Sequence, residues 1–198
     1  MTFILASNNT EKLKELRDIL SDFGLTLCSQ REAGLTLEVE ETGDTFEENA
    51  LLKARAAAEA TGLPAIADDS GLCVDALGGA PGVHSARYTG RHGDSDAART
   101  QLLLQNMQGE PNRTARFVSA ICCVLPNGDT LSARGVCEGE ILKEPRGTGG
   151  FGYDPVFLPT GSLRSMAELT AQEKNRISHR GQALRAFREK LRSYYADK

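Results

Sequence analysis

The sequence lacks any C-x-x-C pair, and its five cysteines are odd in number. This argues against a disulfide framework and against a zinc site built on cysteine pairs. It also lacks an apolar run approaching the ~18 residues of a membrane span, and no basic segment precedes the apolar residues 3–6. We therefore expect a cytoplasmic protein with no membrane partner.

Positive charge is not in excess either. Lys and Arg number 23 against 27 Asp and Glu, which gives a net charge of −4. A net negative charge repels a nucleic-acid backbone, so we expect no nucleic-acid partner. Any bound phosphate must then be bound by a local group of polar and basic residues. The 198 residues, without repeats or linker-like segments, predict a single domain over 1–198.

Hydrophobic periodicity alternates between strand-like and helix-like segments, which favours a mixed α/β fold. Thr45 and Glu48 form a capping-box pattern before an Ala-rich segment, and Asn127-Gly128 is typical of a hairpin turn. Predicted strands lie at 3–6, 25–28, 65–67, 117–125 and 130–136, and predicted helices at 13–23, 46–60, 94–107 and 183–191.

The first candidate site is the polar segment 7–12, between a predicted strand and a predicted helix. Backbone N–H groups at a helix start, together with hydroxyls and Lys12, can bind phosphate oxygens. A simple helix cap with a solvated Lys12 explains the same pattern, and the residues alone leave both interpretations open.

The second candidate is acidic. The predicted strand 65–67 places Asp68 and Asp69 at its tip, and a separate run holds Glu38, Glu40 and Glu41. Carboxylate oxygens with phosphates and water are the usual Mg²⁺ ligands, and a cation would relieve the repulsion of adjacent carboxylates. A solvated turn is the alternative, which we favour for Glu38 and Glu40 but not for Asp69.

Two further segments complete the candidates. Glycines at 147, 149, 150 and 152 surround Phe151, which predicts close approach of a flat ligand with a stacking face and with Asp154 at its polar edge. Lys174, His179 and Arg180 precede the C-terminal helix and can converge on a phosphate or on base oxygens. The alternatives are a glycine turn packed on a core Phe and a basic helix entrance.

Several short segments follow one another along the chain, and they are Ser7-x-Asn9-x-x-Lys12, Glu40-Glu41-Thr42-Gly43, Asn49-Ala50, Lys53-Ala54, Ala67 to Leu72, Pro81-Gly82, Ser85-Ala86-Arg87-Tyr88, Gly149 to Pro155, and Ser178-His179-Arg180-Gly181. Together these ordered segments resemble the inosine/xanthosine triphosphate pyrophosphatase family, and the resemblance spans nearly the whole chain.

The resemblance implies a long central sheet with two lobes around a cleft, and a homodimer. It implies Mg²⁺-dependent attack of water on the α-phosphate of ITP, dITP or XTP, which releases the nucleoside monophosphate and pyrophosphate. A phosphatase that releases orthophosphate and a nucleotide-sensing module remain as alternatives.

The resemblance also implies roles for individual residues. Asp69 is the catalytic proton acceptor, and Asp69 with Glu41 holds the metal, although the register of the acidic run leaves Glu38 and Glu40 open. The implied substrate-binding residues are Ser7, Asn8, Asn9, Thr10, Glu11, Lys12, Lys53, Ser70, Phe151, Gly152, Tyr153, Asp154, Lys174, His179 and Arg180.

Overall fold

The computed structural model describes residues 2–91 and 93–196, so His92, for which the sequence predicts no role, lies outside the described ranges. The fold is mixed α/β and is built on a six-stranded sheet with strand order β2-β1-β3-β4-β5-β6. The strands are β1 Thr2–Leu5, β2 Thr26–Ser29, β3 Ala65–Val74, β4 Thr114–Val124, β5 Thr130–Ile141 and β6 Phe157–Pro159. The helices are α1 Thr10–Leu20, α2 Phe46–Thr61, α3 Asp96–Asn106, α4 Ala171–Ile177 and α5 His179–Ala196.

The chain divides into two compact units, as the expectation of two lobes requires. The first comprises Met1–Asp69, Ser119–Gly135 and Arg180–Lys198, and the second comprises Ser70–Val118 and Val136–His179. The three longest strands, β3, β4 and β5, contribute residues to both units. Strand β1 pairs in parallel with β2 and β3, whereas β5 pairs antiparallel with β6.

The first unit has its own apolar core. Leu16 and Leu20 on α1, and Leu184 and Phe187 on α5, are fully buried with Phe3 of β1. Their spacing of three and four residues places them on one face of each helix, as the periodicity predicts. Packing against the sheet therefore fixes both helices next to strands β1 and β3, which carry candidate site residues at their ends or within them.

The second unit has a separate core that involves α3 and the outer strands. Leu103 and Met107 on and after α3, Leu72 on β3, and Phe157 on β6 are buried there. Tyr153 of the glycine-rich segment belongs to this core and is only 5% exposed. The glycine-rich segment is thus tied to the hydrophobic interior of the second unit.

Local chemistry sets the helix boundaries, and those of α2 and α3 lie within two residues of the predicted ones. Asn9 caps α1 by accepting from the N–H of Lys12, and Thr45 with Glu48 forms the predicted capping box of α2. Helix α2 ends at Thr61 and is capped by Gly62, whose φ of 68° is left-handed and favours glycine. None of the described helices is both long and apolar enough to cross a membrane.

The structure corrects two boundary predictions. Strand β3 continues to Val74, so Asp68 and Asp69 lie in the middle of a strand and not at its tip. Both carboxylates have cationic partners, which allows a buried strand to carry them. Helix α5 begins at His179, so His179 and Arg180 form its first turn and do not precede it.

Candidate active site

Asp68 is the centre of a buried polar network in the first unit. Its Oδ2 lies 2.9 Å from Lys12 Nζ and 3.2 Å from Nη2 of the Arg180 guanidinium group, and its Oδ1 accepts from Ser119 Oγ at 2.6 Å. Burial alone would raise the pKa of this carboxyl, but Arg180 and Lys12 outweigh burial and hold the pKa well below its usual range. Asp68 is therefore an anion at neutral pH, and its ion pair with Lys12 orients that side chain.

Arg180 is one of the most buried side chains of the protein, at 1% exposure. It forms ion pairs with Asp68 and with Glu15 of α1. Burial by itself would lower the pKa of Arg180, but the two carboxylates reverse this and raise it. These contacts make Arg180 a structural partner of Asp68, and its predicted contact with substrate stays a prediction.

Asp69, the next residue of β3, belongs to a second ionic cluster in the same unit. Successive strand residues project to opposite faces, which separates the two carboxylates. Lys53 Nζ of α2 lies 2.9 Å from Asp69 Oδ1 and 2.8 Å from Glu41 Oε1. Asp69 Oδ2 is buried and has no hydrogen-bond partner within the part of the chain that the structure describes. A buried carboxylate oxygen without a partner is available to a water molecule or a cation.

The electrostatics of this cluster suit an acid–base group. Burial raises the pKa of Asp69 above its ordinary value, and the positive charges of Lys53 and Lys12 oppose this rise only in part. The pKa of Lys53 is raised because its attraction to Asp69 and Glu41 outweighs the lowering effect of burial. Lys53 thus stays charged, while Asp69 is a stronger base than an exposed carboxylate.

The acidic connection before α2 presents one carboxylate to Lys53. Glu38 and Glu40 are exposed, whereas Glu41 is half-buried and pairs with Lys53. Of the three glutamates that the sequence left open, the geometry therefore favours Glu41 as a partner in the Asp69 cluster.

Asn49 holds this acidic connection in place, and the residue patterns alone assigned it no role. The side chain of Asn49 is fully buried, accepts from Gly43 N at 2.8 Å and donates to Gly43 O at 3.3 Å. A Cβ on Gly43 would lie only 2.6 Å from Glu48 Cβ. The close approach of the loop to α2, two residues after Glu41, therefore requires both Gly43 and Asn49.

The segment between β1 and α1 is both a cap and a charged loop. Asn9 Oδ1 accepts from Lys12 N at 3.0 Å, and Ser7 Oγ accepts from Asn9 N at 3.2 Å. Asn8 donates to Leu37 O at 3.0 Å. Thr10 and Glu11 are exposed on the first turn of α1. Because Lys12 pairs with Asp68, it is not merely a solvated residue of a cap.

The residues around Asp69 fit a divalent metal ion in their donor chemistry. Hard cations such as Mg²⁺ typically take one or two protein carboxylates and complete their shell with phosphate and water. Asp69 and Glu41 supply two carboxylates, and the buried Oδ2 of Asp69 has no other described partner. No group of three His, Cys, Asp or Glu side chains able to hold a metal occurs among the described residues, so a protein-only cage is not present there.

The second unit contains a buried cation between an aromatic ring and a carboxylate. Lys174 of α4 is 4% exposed, and its Nζ lies 2.5 Å from Asp154 Oδ2 and 4.7 Å from the ring centroid of Phe151. The same Asp154 oxygen accepts from Phe151 N at 3.0 Å. The structure thus brings together three of the predicted base-binding residues.

The glycines beside these residues permit close packing. A Cβ on Gly147 or on Gly149 would approach backbone atoms of Ala167 to 2.7 or 2.8 Å. At Gly150 φ is 67°, and a Cβ there would overlap the carboxylate of Asp154. The segment can therefore fold tightly around Asp154 only with glycine at these positions.

The remaining predicted residues of the second unit have mixed environments. His179 is 5% exposed and stacks on Phe117, with ring centroids 4.8 Å apart and planes 16° apart. The Tyr153 hydroxyl donates to Ser85 O at 2.7 Å, so this side chain is part of the core of the second unit. Ser70 lies half-buried on β3.

The predicted site residues are divided between the two units. The first unit holds residues 7–12, Glu41, Lys53, Asp69 and Arg180, and the second holds Ser70, Phe151 to Asp154, Lys174 and His179.

Comparison with known proteins identifies the family of this chain. The model of the Ham1 family matches residues 3–190. The chain is 54% identical to a dITP/XTP pyrophosphatase of Streptomyces coelicolor over 93% of this chain and 94% of that protein. It is 50% identical to a dITP/XTP pyrophosphatase of Escherichia coli K12 over 96% and 98% of the two chains.

Solved structures agree with these relatives. A HAM1 protein from Coxiella burnetii matches with a TM-score of 0.88 and 46% identity, and covers 98% of this chain and 99% of its own. The Ham1 protein of Staphylococcus aureus matches with a TM-score of 0.88 and 40% identity, and covers 98% and 100%. Because the family model spans almost the whole chain and the relatives are similar over nearly full length, this chain belongs to the Ham1 family.

Proposed function

We propose that this chain is a nucleoside-triphosphate pyrophosphatase that hydrolyses deaminated purine nucleotides, namely ITP, dITP and XTP, to the monophosphate and pyrophosphate. The relatives named dITP/XTP pyrophosphatase support the enzyme class. The observation that carries the proposal is the cluster in which Lys53 joins Asp69 to Glu41 and leaves a buried carboxylate oxygen of Asp69 unpartnered among the described residues. A module that only bound nucleotides would not need this arrangement.

The proposed chemistry centres on Asp69. Its Oδ2 accepts a proton from a water molecule, whose oxygen bonds to the α-phosphorus as the bond to the oxygen bridging the α- and β-phosphates breaks. Lys53 and Lys12 offset negative charge on the triphosphate, and N–H groups at the start of α1 add hydrogen bonds to it. Asp69 and Glu41 would hold Mg²⁺, which when bound supplies neutralisation of phosphate charge and orientation of water.

The proposed recognition of the base uses the second unit. Phe151 supplies a stacking face, and Lys174, held by Asp154, supplies N–H donors for the 6-oxygen of hypoxanthine or xanthine. Adenine presents an amino donor at that position. Two facing donors leave buried polar groups unpaired at about 1–3 kcal/mol each, which disfavours ATP. His179 and Arg180 complete base and substrate binding in this proposal.

Location and assembly are part of the proposal as well. We propose that the enzyme acts in the cytoplasm as a homodimer, with neither a membrane nor a nucleic acid as partner. Light scattering on the purified full chain measures the assembly directly: a mass near twice the 21.3 kDa of one chain is expected, and a mass of one chain overturns the dimer.

A panel of nucleoside triphosphates tests the function. ITP, dITP, XTP, ATP and GTP are incubated with Mg²⁺, with a chelator, and with Mg²⁺ restored, and both pyrophosphate and orthophosphate are measured. We expect pyrophosphate from the first three nucleotides and little product from ATP. Orthophosphate without pyrophosphate would overturn the reaction, equal rates across the panel would overturn the selectivity, and full activity in chelator would overturn the metal requirement.

A further inference from the structure

The backbone of the glycine-rich segment is held by a side chain of helix α3. Gly152 N donates to Asp96 Oδ2 at 2.6 Å. Asp96 is the first residue of α3, and its other oxygen pairs with Arg99 one turn further along the helix. Arg99 in turn donates to Asp94 O at 2.6 Å. With one oxygen held by Arg99, the Asp96 carboxylate keeps a fixed orientation towards Gly152.

Gly152 lies at a sensitive point of the segment. Phe151 precedes it and Asp154 follows two residues later, and both contact Lys174. The φ of Gly152 is 63°, and a Cβ built there would meet no atom within 4 Å, so nothing packs against the residue on that side. Rotation at Gly152 would change the position of Phe151 relative to Asp154, and the hydrogen bond to Asp96 opposes that rotation.

Other described hydrogen bonds of the segment engage different atoms. Phe151 N donates to Asp154 Oδ2 at 3.0 Å, and Asp154 N donates to Phe151 O at 3.3 Å. Gly149 N donates to Ala167 O at 2.9 Å, and the Tyr153 hydroxyl donates to Ser85 O at 2.7 Å. None of these four bonds engages the amide of Gly152. The side chain of Asp96 is 45% exposed, so its replacement leaves no cavity in the core of the second unit.

We propose that Asp96 is a positioning residue for recognition of the purine base. Through its hydrogen bond to the backbone of Gly152, it keeps Phe151 and Asp154 in contact with Lys174. The proposal rests on the proposed function, because it assigns these residues to the purine base. Asp96 does not touch the reacting phosphate groups in this proposal. Its loss should therefore weaken substrate binding more than it slows the chemical step.

Three variants of the full-length protein test the proposal. Asp96→Ala removes the acceptor, Asp96→Asn retains a side-chain oxygen that can accept from Gly152, and Ser95→Ala removes the N-cap of α3 without touching Gly152. KM and kcat are measured with ITP, and exchange of the Gly152 amide hydrogen is followed by NMR.

For Asp96→Ala we expect KM to rise about tenfold, equivalent to about 1.4 kcal/mol, with kcat nearly unchanged and faster exchange at Gly152. Asp96→Asn should restore most of the KM and the slow exchange, and Ser95→Ala should change neither. An unchanged KM in Asp96→Ala, or an equal rise in Ser95→Ala, overturns the proposal. If the wild-type chain does not hydrolyse ITP, the proposed function fails, whereas unaltered Gly152 exchange in Asp96→Ala refutes the anchor itself.

Discussion

The ammonium group of Lys53 lies 2.9 Å from Oδ1 of Asp69, and both side chains are largely buried. This contact leaves Oδ2 of the same carboxylate without a described hydrogen-bond partner. One oxygen is therefore fixed by a cation while the other is free to accept a proton. The proposed role of Asp69 depends on this difference between the environments of its two carboxylate oxygens.

Substitution of Asp69 by Asn tests that role directly. The amide retains the size of the side chain but cannot accept a proton from water, so turnover of ITP should fall by about 10²–10⁴-fold. Binding of ITP, measured by calorimetry, should remain. Asp75→Asn is the matched control, because Asp75 is an exposed carboxylate just after the same strand and pairs only with Arg116 among the described contacts. Unchanged turnover in Asp69→Asn would refute the assignment of Asp69 as the proton acceptor.

The charge of Lys53 should control the pH dependence of activity. Asp69 accepts a proton only when ionised, so kcat/KM falls as the pH drops through the pKa of Asp69, which burial raises and Lys53 partly lowers. Lys53→Met removes the lowering influence, and the acid limb of the profile should move to higher pH. Lys53→Arg keeps the charge and should leave the limb close to the wild-type position. A limb that stays in place or moves to lower pH in Lys53→Met contradicts the coupling.

Four of the five helices were predictable because their signals are local, whereas the short helix α4 was missed although Thr170 and Glu173 form a capping box at its start. The Thr45–Glu48 capping box lies within one turn, and the buried face of α5 repeats every three to four residues. Strand β3 was predicted too short because two consecutive aspartates usually end a buried strand. Their compensating cations come from residues far away in sequence, which no local pattern reveals.

The candidate site shows the same contrast between local signals, which the sequence reveals, and distant contacts, which it does not. The residue types that could bind phosphate, metal and base were visible in the sequence, and their order carried the family resemblance. The burial of Arg180 between Asp68 and Glu15 was not visible, because Glu15 lies 165 residues away and only the packing of α1 and α5 brings the pair together. The support that Asn49 gives to Gly43 was also missed, since an asparagine inside a helix has no distinctive local pattern.

The ionised state of Asp68 should contribute to stability against acid. Its pKa in the folded protein lies well below the value of about 3.9 expected in the unfolded chain. The contribution is therefore fully present above about pH 4 and is lost as the pH falls towards the folded pKa. In urea unfolding between about pH 2 and 7, Asp68→Asn should show a shallower loss of stability below pH ~4 than the wild type. Ser119→Ala, which removes one interaction that lowers this pKa, should be intermediate, and a wild-type slope in Asp68→Asn would contradict the assignment.

Asn49 should matter for both stability and substrate handling. Asn49→Ala leaves the N–H of Gly43 without its buried partner, which should cost about 1–3 kcal/mol in the free energy of unfolding. It should also lower kcat/KM, because the loop that carries Glu41 is no longer fixed to α2. Asn106→Ala is the control, since it removes an exposed bond to Tyr88 and should change stability by no more than about 0.5 kcal/mol. A stable and fully active Asn49→Ala variant would refute the role of this contact.

A pair of glycine substitutions separates backbone strain from disruption of the base-binding residues. Gly150 and Gly161 both have left-handed φ values, 67° and 78°, so alanine strains the backbone at either position. Only at Gly150 would the new Cβ overlap the Asp154 carboxylate, whereas at Gly161 it meets nothing within 4 Å. Both variants should lose about 1 kcal/mol of stability from strain. Gly150→Ala should in addition raise KM for ITP by about tenfold or more, because Asp154 must leave Lys174 and a charge-assisted hydrogen bond is lost. If both variants show the same KM, Asp154 and Lys174 do not act in base binding.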